Sequence, residues 1–233
     1  VVRNFGGEQV VGDPPTSKFD DPNTVAAYQY IYDAIWKHKV MPNPEEMQVL
    51  GGGSWQAFAS GKVGLVYALN DASNSVANAV GKRFKISAAP TPRGKAEKRA
   101  QFVGGSAFSI PKGSPHPDVA YELTRWVLAN PENLPKIGSM AEGGTFVPRT
   151  DFWEHGLPPE STGISRDAFK KAFYDLGLRD GVYPNYFVGF LQWDPQVFNK
   201  NMSLLWAGQE KDVAKIMATV QKETVDLLKA QPQ

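Results

Sequence analysis

Cysteine is absent from all 233 residues, which excludes a disulfide scaffold and any mechanism that runs through a thiolate. A surplus of charge of one sign is missing too: 25 basic side chains stand against 24 acidic ones, and the basic ones are dispersed. The electrostatic footprint of a nucleic-acid binder is therefore lacking. No window approaches the ~18 consecutive apolar residues that a membrane span needs. His38, His116 and His155 are far apart and lack the i, i+4 or carboxylate spacing of a metal site, so neither a metal nor a cofactor is expected. The start, Val1-Val2-Arg3-Asn4, has no initiator methionine and no charged-then-apolar secretion signal. A large upstream segment is expected to be missing.

What the chain does have is 42% hydrophobic and 12% aromatic residues, enough for one large or two small cores. Val10 to Phe19 reads as a polar hairpin or loop. Asp21-Pro22 then opens a helix in the cap-then-proline order, with Val25, Tyr28, Ile31, Tyr32 and Ile35 as its apolar stripe. Pro42 and Pro44 end that pattern before a short turn at Glu45 to Leu50. Ser73 to Val80 predicts a weak helix stopped by Gly81, and Phe84 to Ala89 and Phe102 to Ile110 predict strands around a basic loop with Lys95, Lys98 and Arg99. Helices follow at Asp118 to Leu128, Ala168 to Leu176, Pro195 to Trp206 and Lys211 to Lys229. The helix at 118 carries Val119, Leu123, Trp126 and Val127 on its inward stripe, and Trp126 and Trp206 are expected in the core. Gly143 to Glu160 is irregular and proline-rich, the stretch most like a connector. Helices alternating with short strands make a mixed α/β architecture.

The most informative stretch is GGGSWQAFASGKVGLVY, Gly51 to Tyr67. A glycine turn leads into a short helix that Ser54 can cap, with Trp55, Phe58 and Ala59 on one face and Gly61 at its end; Val63 to Ala68 then reads as a strand. The segment from Ala57 to Leu65 closely resembles the "AFxxGKxAM" signature of bacterial extracellular solute-binding proteins, the sugar-type receptors of ABC importers. Further resemblances follow in the family's order: Asp20-Asp21-Pro22 and its helix, Phe102-Val103-Gly104-Gly105 leading to Ser109-Ile110, Ser114-Pro115-His116-Pro117-Asp118, Gly143-Gly144-Thr145-Phe146-Val147-Pro148-Arg149, and Leu205-Trp206-Ala207-Gly208 before a charged terminal helix.

The resemblance implies a type II periplasmic-binding-protein-like α/β fold, mainly its second lobe plus the segment that returns to the first, with the N-terminal lobe largely missing. Residues 1–110 and 155–233 would form the second lobe, and 111–154 the hinge crossing and helices that pack on the first. Without that lobe, the helix at 118–128 would need another chain or a rearranged neighbour, and self-association of the chain is one outcome. The implied function is non-catalytic: a carbohydrate is bound between two lobes and delivered to permease subunits, in the periplasm or outside the cell, with a lipid anchor through the missing N-terminus left open.

A sugar offers a face of C–H groups and a rim of hydroxyls, so its receptor needs flat rings and fixed polar partners. By resemblance, Trp55 and Trp193 would be stacking platforms, and Asn70, Asp71 and Asp194 hydroxyl partners. Gly104 and Gly105 would admit close backbone approach; Pro111, Gly144 and Arg149 would belong to the hinge. Each has a plainer alternative. Trp55 can be core, Asp71 can cap the helix at Ser73, Gly104-Gly105 can be a bulge, and Arg149 an ordinary surface residue. Many relatives carry tryptophan at the Asn70-Asp71 place, so a more polar grip is expected there. Two other functions remain as alternatives: a glycoside hydrolase-like enzyme using carboxylates among Glu142, Asp151, Glu154 and Asp194, and a receptor for a phosphorylated or acidic solute held at the glycine-rich helix start. The Gly53 to Lys62 interval is too long for a phosphate loop, with Val63 in place of its Ser/Thr.

Overall fold

The computed structural model describes residues 1–67, 73–97, 99–103, 109–129, 165–183 and 186–230. Two compact units emerge: Val1–Val49, Thr91–Phe102 and Val182–Gln233 form unit 1, and Leu50–Pro90 with Val103–Gly181 forms unit 2. This division runs along different lines from the lobe boundaries read from the sequence. Among the described residues helix dominates both units, and the described strands are two residues long.

In unit 1 the 10–19 stretch is a hairpin. β1 (Val10–Val11) runs antiparallel to β2 (Thr16–Ser17), with Val10 opposite Ser17 and Val11 opposite Thr16. Helix α1 (Pro22–Trp36) begins as the sequence dictates: Asp21 is its cap, its carboxylate accepting from the Asn23 and Thr24 amides, and Pro22 follows where no amide is needed. Tyr28 and Ile35 are buried from its stripe, with Val25, Ile31 and Tyr32 packed beside them. The expected turn at 45–50 is instead a short helix, α2 (Pro44–Val49). Its start is a reciprocal capping box, the Asn43 amide donating to Glu46 Oε2 and the Glu46 amide to Asn43 Oδ1, both at 2.9 Å.

The rest of unit 1 comes from the far end of the chain. Phe190–Trp193, a π-helical Asp194–Asn199 and Lys200–Trp206 follow without a break and are together called α7; α8 is Val213–Ala230. Pro195 lies inside α7, where it cannot donate a ladder hydrogen bond, and the widened π turn accommodates it. Phe19, Tyr28, Trp193, Val197, Met202, Leu205, Met217 and Val220 make one buried cluster from the hairpin, α1, α7 and α8. Gln221 of α8 locks the hairpin onto it: its Oε1 accepts from Ser17 Oγ (2.6 Å) and the Phe19 amide (2.9 Å). Beside this core, Asn201 Nδ2 and Lys200 Nζ each reach a different oxygen of Glu223 at 2.8 Å. Burial alone would push the Glu223 carboxyl up, but hydrogen bonds from Lys200 and Asn201 outweigh it and hold the carboxyl below its usual range. At the entrance to α8, Glu210 accepts from Lys215 Nζ and from the Asp212 and Lys211 amides, which lowers its pKa to about 2.

In unit 2 the glycine turn leads into α3 (Ser54–Ala59). Gly51 and Gly52 both have positive φ, 107° and 78°, which is why side-chain-free residues are needed there. The cap itself is Gly53 in extended conformation, with no side-chain hydrogen bond, so Ser54 is the first helical residue and not the expected cap. Gly61 (φ 78°) ends the helix as read. Helix α4 (Ser73–Val80) stops at Gly81, and its Val76 and Val80 pack with Ala59, Phe58, Phe84 and Ile86. Helix α5 is Pro117–Ala129. Arg166–Phe169, the π-helical Lys170–Asp175 and Leu176–Asp180 run on as α6.

Several expected features are overturned. The described part of the 63–68 strand, Val63 to Tyr67, is not in a ladder, and Leu65 is 88% exposed. Phe84 to Ala89 is likewise unpaired. Of the described residues between Phe102 and Ile110, Phe102 lies in a strand, β3 (Gln101–Phe102), which pairs with β4 (Gly181–Val182); residues 104–108 lie outside the described set. Strand propensity records how well a side chain fits a half-buried pleated surface, and no such surface is built around these runs by described residues. The stripe of α5 is also not inward: Val119, Leu123 and Trp126 are exposed. Its three-and-four spacing makes the helix amphipathic, and of the same stripe Val127 is half-buried.

Candidate functional site

Trp55 stands at the second position of α3, immediately after the glycine turn, and is 38% exposed. The inward side of that helix is carried by Ala57 and Ala59, so the indole is available at the surface of unit 2. Its place at a short helix start comes from the run of glycines, where Gln56 packs against Gly51 at a distance that leaves little room for a side chain.

Trp193 is placed otherwise. It is 4% exposed, stacks on Phe198 at 5.1 Å, and is flanked by Phe19, Phe187 and Phe190. Its indole N–H donates to Thr224 Oγ1 at 2.8 Å. A ring so enclosed has no face for a sugar, and Trp193 is corrected from stacking platform to core residue. Reading Pro195 as a helix start hid this: α7 begins at Phe190, so Trp193 and Val197 are one turn apart on the buried side. Asp194, half-buried on the same helix, accepts from Asn199 Nδ2 at 2.9 Å. Pro111 is exposed in a turn whose carbonyl accepts from the Ser114 amide. Asn70, Asp71, Gly104, Gly105, Gly144 and Arg149 lie outside the described residues.

An aromatic surface that sequence patterns did not single out lies in unit 1, between β4 and the body of α7. Tyr183 is 71% and Tyr186 68% exposed. The Tyr186 ring meets Phe190 edge-to-face at 5.1 Å and 90°, and Phe190 in turn packs on Trp193. The Tyr183 carbonyl accepts from Arg3 Nη1 at 2.9 Å, while Arg3 Nε is paired with Glu8. The available signal was the density of aromatics from Tyr183 to Trp193, which has no helical or alternating period at its start. Among the described residues no group of three or more His, Asp or Glu could hold a metal ion, and no helix is long and apolar enough to cross a membrane.

The sequence profile of the bacterial extracellular solute-binding proteins matches residues 4–151, more than half of the chain. The chain belongs to this family. No curated protein matches it. Among solved structures, an ABC substrate-binding protein, Lmo0181 from Listeria monocytogenes in complex with cycloalternan, superposes with a TM-score of 0.75 at 15% identity, over 99% of this chain and 55% of its own. Maltose-bound MalE3 of T. maritima gives 0.72 at 20% identity, over 97% and 55%. This solute-binding protein chain therefore has the fold of these receptors and spans 55% of the length of each. The type II receptor architecture, represented in part, is the fold that the resemblance carried by the ordered landmarks implied, the pattern of elements alone having given only a mixed α/β class.

Proposed function

We propose that the chain is part of the substrate-binding component of an ABC importer, taking a carbohydrate between two lobes and presenting it to a membrane permease outside the cytoplasm, without turning it over. The observation that carries this is the match of almost the whole chain, 99% and 97%, to receptor structures that hold cycloalternan and maltose. The exposed Trp55 supports it from within the chain, because a half-open indole at a helix start is suited to a sugar's C–H face. Asn70, Asp71 and Asp194 are the proposed hydroxyl partners, Gly104 and Gly105 the points of close backbone approach, and Pro111, Gly144 and Arg149 the hinge. A lipid anchor upstream of Val1 fits the same role.

The test is thermal unfolding of the full gene product against maltose, maltotetraose, cycloalternan, monosaccharides and sugar phosphates. A saccharide at ~100 times its dissociation constant stabilises the folded state by ~2.7 kcal/mol, a clear upward shift in Tm, with the sugar recovered intact. A shift with sugar phosphates alone, weakening steeply with salt, would move the assignment to an acidic solute. Release of cleaved sugar would replace the receptor with a hydrolase.

A further inference from the structure

The cations are dispersed over the chain as a whole, with the basic loop at 91–101 as the exception. Between 93 and 99 it holds Arg93, Lys95, Lys98 and Arg99 against one acid, Glu97, and the rest of the chain without them is net negative. Arg93 and Lys95 are exposed and Arg99 is half-buried; Lys98 lies outside the described residues. Elsewhere in unit 1 the cations Arg3, Lys200 and Lys215 are paired with Glu8, Glu223 and Glu210, whereas among the described residues no carboxylate pairs with Arg93, Lys95 or Arg99. The loop also has a fixed shape. Thr91 Oγ1 joins its ends by donating to Gln101 Oε1 at 3.2 Å, and buried Asn4 fills its inside. Asn4 Nδ2 donates to the Pro92 carbonyl at 3.0 Å, its Oδ1 accepts from the Ala100 amide at 2.9 Å, and its carbonyl accepts from the Ala96 amide at 3.4 Å. From 91 to 100 there is no aromatic residue and no Val, Leu, Ile or Met. The loop thus lacks both the rings that stack nucleic-acid bases and the apolar anchors found at the centre of a protein interface. Held rigid, unneutralised and without apolar content, its charge is suited to a plane of negative charge. We infer that this loop is an electrostatic docking surface for the anionic phospholipid headgroups of a bilayer, holding the chain against the membrane with the 91–101 loop of unit 1 toward the lipid. Its net cationic charge favours an anionic bilayer over a neutral one on the order of a hundredfold. From the importer reading above this takes only that a bilayer is at hand, and it does not depend on the solute.

The test is sedimentation of the full gene product, produced without lipidation, with vesicles of mixed phosphatidylglycerol and phosphatidylcholine and with vesicles of phosphatidylcholine alone. The parent is expected to partition onto the mixed vesicles and not onto the neutral ones, and to be released as salt rises from about 0.1 M to about 0.5 M. Arg93→Gln with Lys95→Gln should lower the partition coefficient about thirtyfold. Lys37→Gln with Lys229→Gln removes the same charge from exposed positions elsewhere in unit 1 and should stay within about threefold, because distant charges are screened. All four side chains are exposed, so both double variants should keep the parent Tm. Failure of the parent to partition onto the mixed vesicles overturns the inference, and binding of polyglutamate by that protein would then give the loop an acidic polypeptide as its partner. Equal binding to neutral vesicles, or an unchanged partition coefficient in Arg93→Gln with Lys95→Gln, overturns it as well. Equal losses in the two double variants overturn it in favour of net charge alone. Stabilisation by saccharides is a separate readout, so the importer reading stands if the vesicles are not bound, and membrane docking stands if no saccharide of the thermal panel binds.

Discussion

At the scale of single residues, the hydrogen bond between Trp193 and Thr224 is the most exacting contact in the described structure. Both groups are out of water, so an indole N–H deprived of its acceptor keeps its full desolvation cost. Thr224→Val preserves shape while removing that acceptor. It should lower unfolding free energy by about 1–3 kcal/mol, read as a fall in the urea midpoint with an unchanged m-value. The same residue shows where the sequence stops being legible. Composition can say that a tryptophan is present, but whether it faces ligand or core depends on the helix phase, and one proline placed mid-helix made Trp193 read as lying before the helix and not on its buried side. Trp55 was easier because a run of glycines has few uses other than a tight turn, so its position at a helix start followed from local chemistry.

At the scale of elements, helices with strong end signals were legible, as was the hairpin at 10–19, and the strands expected after Val63 and Phe84 were not. Asp21-Pro22, Gly61 and Gly81 mark their ends by local rules, and α1, α3 and α4 end where those residues require. A strand needs partners far away in sequence, and nothing within Val63 to Tyr67 says whether a partner will arrive. α2 was missed although its Asn43 and Glu46 spacing is a capping signal, because the prolines beside it were given more weight. Two substitutions test this balance of local and distant terms. Asp21→Ala leaves two amides at the start of α1 without their acceptor and should cost about 1 kcal/mol. Leu123→Ser on α5 changes an apolar residue that is already in water and should stay within about 0.5 kcal/mol. Chemical denaturation of both variants checks the pair; a large loss at Leu123 would mean that the stripe is covered in solution, and sedimentation would show whether a second copy covers it.

For the whole molecule, a near balance of 25 basic and 24 acidic groups turns into a growing net positive charge as carboxylates protonate, and that self-repulsion makes stability sensitive to acid. Glu210 titrates from an ordinary value of 4.5 in the unfolded chain to about 2 when folded, and Glu223 is also held low. A depressed carboxylate stabilises fully above its unfolded value and loses that contribution as pH falls toward its folded one. Tm should therefore drop as pH is lowered from about 5 to about 2.5, less steeply in the double variant Glu210→Gln with Glu223→Gln and less steeply in high salt. The clasp made by Gln221 has a consequence for manufacture of the chain. Ser17 and Phe19 leave the ribosome long before residue 221, with all of unit 2 to be made between the first and the last segments of unit 1. At roughly 5–20 residues per second that interval is on the order of ten seconds. Throughout it the oily side of the first hairpin and helix has no partner yet in existence, so a holding chaperone has its opportunity there, and unit 2 can finish folding before the unit that begins the chain.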